Sequence, residues 1–256
     1  MTATKKIERD QYGFLEQVAD VLPEAKSNRI HLSHFEIDRA QQRAMLIAAM
    51  RGDKYAMTRT DRKYTRLVVN VAEPGKAAKW KLMMTDTDME RVTNERFVKA
   101  AHGDVLIAGL GIGMVVHALL APRPADREIK SITVVEKYQA VIDAVRASLP
   151  ADVRIICADI DTMVAPPSWL FDTIYFDIWP NRSSENIPHI NALHKRGRKW
   201  LRKGGWMSSW YHSELLLLRR RENNSPGAKL LRQLEREDRQ IANLLKGVEE
   251  WLSTLP

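Results

Sequence analysis

The chain has 256 residues, enough for one sizeable core with a small appended domain. Hydrophobic residues make up 45% and charged residues 28%, ordinary for a soluble globular protein. No apolar run approaches the roughly 18–20 residues that span a bilayer. The opening segment, MTATKKIERDQYGFLEQ, has no apolar core of the kind a signal peptide needs. The single cysteine, Cys157, excludes an internal disulfide and fits a reducing compartment, so a cytoplasmic protein is expected. Cys157 lies in the apolar run Val153–Ala158 and reads as a small buried hydrophobe.

Net charge is +8 and the pI about 9.6, which favours anionic partners. The basic residues cluster at Lys195, Arg196, Arg198, Lys199, Arg202 and Lys203, then at Arg219, Arg220 and Arg221. Either cluster can touch nucleic acid, and either can be a solvated helix face.

Apolar residues at Ile7, Phe14, Leu15, Val18, Val21 and Leu22 predict an amphipathic helix ended by Pro23. Arg29–Ile37 alternates as a short strand, and Asp38 caps a helix through Met50 with Gly52 just beyond it. Arg66–Ala72 and Trp80–Thr85 read as strands joined by a Pro74-Gly75 turn. His31 and His34 fall on opposite faces of their strand, which argues against a shared metal. Asn94 caps a short helix, Glu95–Ala101. The first third is therefore a small α/β lid.

From Asp104 to Ala121 the chain reads DVLIAGLGIGMVVHALLA. Val105–Ala108 suits a strand buried on both faces, Gly109, Gly111 and Gly113 follow at alternate positions, and Met114–Ala121 resumes as a helix. Glycines let the backbone turn tightly and approach a ligand, and the helix start offers free N–H groups. Further strands are predicted at Ile129–Val135, Val153–Ala158, Asp172–Ile178 and Trp206–Trp210, the last reached through a Gly204-Gly205 turn. A helix over Tyr138–Ser148 separates the second and third. This alternation predicts a doubly wound parallel sheet, whose ligands bind at the carboxyl ends of the strands. Leu215–Arg221 and Ala228–Leu252 read as helices that pack on the sheet or on a second subunit, so a homodimer is one expectation.

Four acids fall at or beyond strand ends. Glu136 ends the second strand, where a carboxylate accepts from both ribose hydroxyls of a nucleoside. Asp159 closes the third and can accept from an adenine amino group, with Ile160 packing on the ring. Asp161 fits a helix cap better and is left outside the site. Asp177, near the end of the fourth, faces the transferred group as a general base or a hold for an attacking amine. Trp179 either walls a substrate site or seals the sheet edge. His212 suits a cap or surface role as well as acid–base chemistry, and nothing ties His189 or His194 to a site.

Strand-GLGIG-helix, Glu136, Asp159 and Asp177 together resemble the class I S-adenosylmethionine-dependent methyltransferase fold over Asp86–Tyr211. A dinucleotide site would use G-x-G-x-x-G, and Val116 stands where its last glycine would fall. Within that fold the pattern is most similar to the spermidine synthase group, which shares a small N-terminal β unit, an Asp-containing turn like Asp86-Thr87 and a helix start like Asn94-Glu95. Three departures stand out. Ile112 replaces the aminopropyltransferases' glycine-loop Asp, Asp177-Ile178-Trp179-Pro180 lacks their second Asp, and Arg96–Ala101 lacks their Tyr-His-Glu. Nor does Asp177-Ile178-Trp179-Pro180 match the Asp/Asn-Pro-Pro-aromatic loop of base-modifying amino methyltransferases.

The resemblance implies a Rossmann-like sheet in strand order 3-2-1-4-5, with a lid over 1–93, a donor-binding domain over 94–214 and helices over 215–256. S-adenosylmethionine would be held by Gly109, Gly111, Gly113, Glu136, Asp159 and Ile160. Asp177 would be catalytic, and Asp86 and Trp179 would lie on the substrate side, with no metal. The expected activity is methyl transfer, most simply to a small molecule, with nucleic acid as a further partner and no membrane. The alternatives are aminopropyl transfer from the decarboxylated donor and a non-catalytic nucleoside- or nucleic-acid-binding protein.

Overall fold

The computed structural model describes residues 8–53, 56, 58–73, 75–224 and 226. The described residues up to Arg182, with Pro188–Tyr211, form one compact unit; Ser183–Ile187 and the chain from His212 form another. The first unit carries two sheets. β1 (Ala25–Lys26), β2 (Ile30–Phe35), β3 (Tyr64–Asn70) and β4 (Trp80–Thr85) make an antiparallel sheet in that order. Ile30 and Leu32 on β2 and Leu67 and Val69 on β3 are buried, the alternation expected of a sheet with one face on a core. α1 (Arg39–Met50) leaves β2 through a capping box. The Asp38 carboxylate accepts from the Gln41 N–H at 2.7 Å, and Gln41 Oε1 accepts from the Asp38 N–H at 2.9 Å.

β5 (Gly103–Ala108), β6 (Ile129–Glu136), β7 (Arg154–Cys157), β8 (Phe171–Phe176) and β9 (Leu201–Ser209) form the second sheet, wholly parallel, in the order β7-β6-β5-β8-β9. In order of appearance that is 3-2-1-4-5, the order the resemblance implied. Val105–Ala108 on the central strand have no solvent exposure, which explains their unbroken apolar run. The order reverses at β5, so the loops after β5, β6 and β8 part there and leave a crevice.

α2 (Asp88–Ala100) is fixed to this sheet by its aromatic and amide side chains. Phe97 stacks on Tyr175 with ring centroids 4.0 Å apart, and the Tyr175 hydroxyl donates to Asn94 Oδ1 at 2.9 Å. The Trp210 indole N–H donates to Thr93 Oγ1, also at 2.9 Å. α3 (Met114–Leu119), α4 (Gln139–Val145) and α5 (Ile187–Gly197) follow β5, β6 and β8 along the chain. α6 (His212–Asn224) belongs to the second unit.

Several local expectations are corrected. No α-helix forms over 8–22, only a single 3-10 turn at Val18–Asp20, although Phe14, Leu15, Val18 and Leu22 are buried. Asp10 instead accepts from the Tyr12 and Phe14 N–H groups, and Gly13 takes a φ of 89°, which turns the segment back on itself. Asn94 does not cap a helix; it is buried inside α2, which starts six residues earlier. Gly204 and Gly205 lie within β9 rather than in a turn before it. Cys157 is exposed, because β7 is an edge strand whose outer positions face solvent. The Ala228–Leu252 helix and Pro74 fall outside the described residues. Among the described residues no helix is long and apolar enough to cross a membrane.

Gly109, the residue after β5, has a φ of 98°, and a Cβ there would overlap the Asp177 backbone carbonyl. Gly109→Ala should lower stability by at least about 2 kcal/mol in urea titration, from left-handed strain plus that overlap. An unchanged midpoint would show that the loop absorbs a side chain.

Candidate functional site

A cleft of about 350 Å³ opens at the carboxyl ends of the parallel strands. β5 contributes the turn that follows it. The Gly109 N–H donates to the Val135 carbonyl at 2.8 Å, holding this turn against the tip of β6. Gly111, with a φ of 53°, passes beneath Met84 of β4 so closely that a Cβ would strike its sulfur. Gly109 and Gly111 line the cleft; Gly113 does not. Gly113 begins α3 and faces Val145 and Leu149, so its role is helix packing rather than ligand approach.

Glu136, the last residue of β6, is buried and lines the cleft. Oε2 accepts from the Leu110 N–H and Oε1 from the Tyr138 N–H, each at 2.9 Å. Burial raises its proton affinity, and those backbone N–H groups oppose the rise. The Lys137 and Gly111 N–H groups also act on this carboxylate, and a carboxylate oxygen can accept more than one hydrogen bond, which suits a vicinal diol. Asp159, beyond β7, is paired with Lys137 at 2.8 Å, and that ammonium holds its carboxyl below the usual range. Ile160 is buried beside it, also on the cleft wall.

Asp177 follows β8, and its N–H donates to the Ala108 carbonyl at 2.7 Å. Its carboxyl lines the cleft, and burial pushes its pKa up to about 7. Trp179, open to either role in the sequence, lines the cleft. Its indole N–H donates to His189 Nδ1 at 3.1 Å, and His189 Nε2 meets Asp161 Oδ1 at 2.7 Å. Since Nδ1 is the acceptor, Nε2 carries the proton and donates to Asp161. Asp161 and His189 thus belong to the cleft wall and orient Trp179, contrary to the reading that set them apart.

Asp86 sits elsewhere. It is wholly buried off the cleft, accepting from the Val18 N–H at 3.2 Å and the Thr65 N–H at 2.6 Å, with Arg91 at 3.7 Å. Arg91 in turn donates to the Leu15 and Glu16 carbonyls. This pair knits the N-terminal segment, β3 and α2 together, so Asp86 is corrected from a substrate-side position to a structural one. His31 stacks on Trp80, whereas His34 Nδ1 meets Thr65 Oγ1, so the two have separate partners.

The sequence reasoning missed Glu90. It lies one turn before Asn94 on α2, is 9% exposed and lines the cleft with Asp177. Burial pushes its pKa up to about 8; the Asp177 charge adds to the rise and Arg182 opposes it. Among the described residues its carboxylate has no hydrogen bond or ion pair. A helix register begun at Asp88 would have exposed the signal: Glu90, Asn94 and Phe97 then share one face, and Asn94 and Phe97 are sheet-facing.

No known protein-family profile matches the chain, and no curated protein sequence matches it. Among solved structures it is similar to an SAH complex of DhpI, at 17% identity over 47% of this chain and 54% of that one, with a TM-score of 0.35. A second is an S-adenosylmethionine-dependent methyltransferase from Mesorhizobium loti, at 16% identity over 46% and 53% of the two chains, TM-score 0.33. A third is Aeropyrum pernix fibrillarin with natively bound S-adenosyl-L-methionine, at 15% identity over 57% and 67%, TM-score 0.30. The chain spans about half the length of the first two.

Two outcomes follow from the buried acids. Asp86→Ala strands the Arg91 guanidinium and should cost about 3 kcal/mol in urea titration; a loss within 0.5 kcal/mol of zero, roughly the scatter of surface substitutions, would remove its structural role. Glu90 and Asp177 bind protons more tightly when folded, so the stability they confer is full below about pH 4 and lost as pH rises through about 7 to 8. Glu90→Gln should therefore stabilise the ligand-free protein by about 2–4 kcal/mol at pH 9, with the gain shrinking towards pH 5. Equal melting temperatures at both pH values would contradict this.

Proposed function

We propose that the chain is an S-adenosylmethionine-dependent methyltransferase. One observation carries the reading: Gly109 and Gly111, Glu136, Asp159 with Ile160, and Asp177 all line a single cleft, though they come from four strand ends. That set matches the parts of an adenosine-bearing donor. Glu136 offers acceptor positions for the ribose diol, and Asp159 with Ile160 offers an acceptor and an apolar face for adenine. The glycine turn gives close backbone access to the amino-acid end. The cleft volume, about 350 Å³, falls at the lower end of the usual range for small-molecule sites, roughly 300–1,000 Å³.

The donor supplies an already activated methyl group on a sulfonium. This chain's contribution is then to hold the acceptor in line, keep water out and manage the acceptor's proton. Trp179, fixed by His189, and Trp210 close the apolar wall. Asp177, with its raised proton affinity, is placed to take a proton near neutral pH. A small-molecule acceptor suits a cleft of this size. Kinship to the spermidine synthase group is proposed at the level of the scaffold.

Aminopropyl transfer is the second reading, supported by two cleft carboxyls without partners, Glu90 and Asp177. Ile112 weighs against it: it is fully buried and off the cleft, so the glycine turn adds no acid to that site.

Calorimetry tests the donor directly. S-adenosylmethionine and its demethylated product should both bind, and Glu136→Gln should weaken each about 10–100-fold through loss of buried charge-assisted hydrogen bonds. Unchanged affinity would remove Glu136 from the site, and tight binding of the decarboxylated donor alone would turn the reading to aminopropyl transfer.

A further inference from the structure

The acids of this protein divide by whether they have partners. In the cleft, Asp159 is paired with Lys137 and Asp161 with His189, while Glu136 is held by two backbone N–H groups. Glu90 and Asp177 stand apart. Among the described residues neither carboxylate receives a hydrogen bond or an ion pair. Glu90 is nine-tenths buried, and both open into the same cleft. Arg182 acts on Glu90 only at range and is itself engaged by Asp53 at 3.9 Å and by the Tyr211 ring at 5.5 Å. Lys81, the remaining lysine of the cleft, is exposed on β4 and does not offset either charge.

Two carboxylates on one cleft, Glu90 buried and Asp177 part-buried, with no counter-charge are expensive to hold, and a ligand cation would offset them. An anionic ligand would worsen the repulsion, and a neutral alcohol would leave it in place. The surrounding wall is apolar, with Leu67 and Val69 from β3, Met83 and Met84 from β4, and Trp179 and Trp210 beyond the parallel strands. Such a wall suits a ligand body without further charges.

We propose that Glu90 and Asp177 together form the binding site for a single ammonium group carried on an apolar body, and that this nitrogen is the methyl acceptor. The proposal rests on the methyltransferase reading above. The bound ammonium passes one proton to the carboxylate pair, which frees its lone pair. The nitrogen–carbon bond then forms as the donor's carbon–sulfur bond breaks, with that electron pair staying on sulfur. The product leaves as a methylated ammonium, and the proton on the pair returns to solvent. Both proton affinities are raised into the range where the pair can take and release that proton near neutral pH. Glu90 thereby becomes the residue that selects amine over hydroxyl or carboxylate acceptors.

The test uses the 256-residue chain and its Glu90→Gln variant, each checked for folding by its melting temperature. Calorimetry is run with 2-phenylethylamine, 2-phenylethanol, phenylacetate and putrescine, without donor and with saturating S-adenosylhomocysteine. Labelled S-adenosylmethionine then reports transfer to each compound. The expected result is binding and methylation of 2-phenylethylamine alone, with its affinity at least tenfold weaker in Glu90→Gln and S-adenosylhomocysteine affinity unchanged. Binding of the alcohol or the acid as tight as the amine would overturn the proposal, as would a preference for putrescine. So would a Glu90→Gln variant that loses donor affinity but keeps amine affinity, since Glu90 would then serve the donor. Amine binding that depends on Glu90 in a protein that binds no donor would uphold the amine site and sink the methyltransferase reading alone.

Discussion

The tips of β5 and β8 come together so closely that the residue after β5 can carry no side chain, and this backbone contact shapes the cleft. The Asp177 N–H reaches the Ala108 carbonyl while the Gly109 N–H reaches Val135, so pairing on both flanks of β5 persists to its last residue. The loops peel apart only beyond that point, and all of them peel around the same volume. Glu136 then fixes one side of the opening by accepting from the Leu110 N–H, which couples the end of β6 to the glycine turn. Position in the crevice is therefore inherited from strand pairing, and each acid needs only to be the right residue at a strand end.

Charge is handled differently at the two ends of the parallel sheet. At the starts of β5 and β8, Asp104 and Asp172 share Arg202 at 2.7 and 2.8 Å, and Asp172 also accepts from the Asp104 N–H. Under the antiparallel sheet Asp86 has Arg91 and two backbone donors. These acids are satisfied within the fold. In the cleft at the carboxyl ends of the strands Glu90 and Asp177 are not, and their raised proton affinities should leave the ligand-free protein less stable at alkaline pH. A local cost of that kind, confined to one cleft, marks the place where the chain is built for something other than its own folding.

The parallel sheet was legible because its central strands are buried on both faces and leave unbroken apolar runs, VLIA at Val105–Ala108 above all. Strand ends were legible too, so Glu136, Asp159 and Asp177 could be assigned to the crevice before any coordinates. Glu90 was hidden by an error of register: Asn94 looks like a cap, and its true work, bonding Tyr175 and the Glu90 carbonyl from inside α2, depends on a strand eighty residues away. Asp161 and His189 were hidden for a similar reason, since their pairing spans 28 positions and has no local pattern. Asp86 was assigned by likeness to a substrate turn, yet the burial that makes it structural comes from Val18 and Thr65, which no motif around it announces.

Bulk charge also pointed away from the cleft. The chain carries +8, which on its own argues for anionic partners. Part of that charge is engaged within the chain: Arg196 donates to the carbonyls of Ile160, Asp161 and Met163, fixing the loop that carries Asp159 and Ile160, and Arg202 serves Asp104 and Asp172. The cleft itself is lined by five carboxyls, Glu90, Glu136, Asp159, Asp161 and Asp177, against Lys81, Lys137 and His189. A ligand entering it meets that local balance at short range, while the net charge of the surface is screened by salt beyond about 10 Å. The charge a ligand must carry is thus set by the two carboxyls the fold leaves unpaired, and not by the sign of the whole chain.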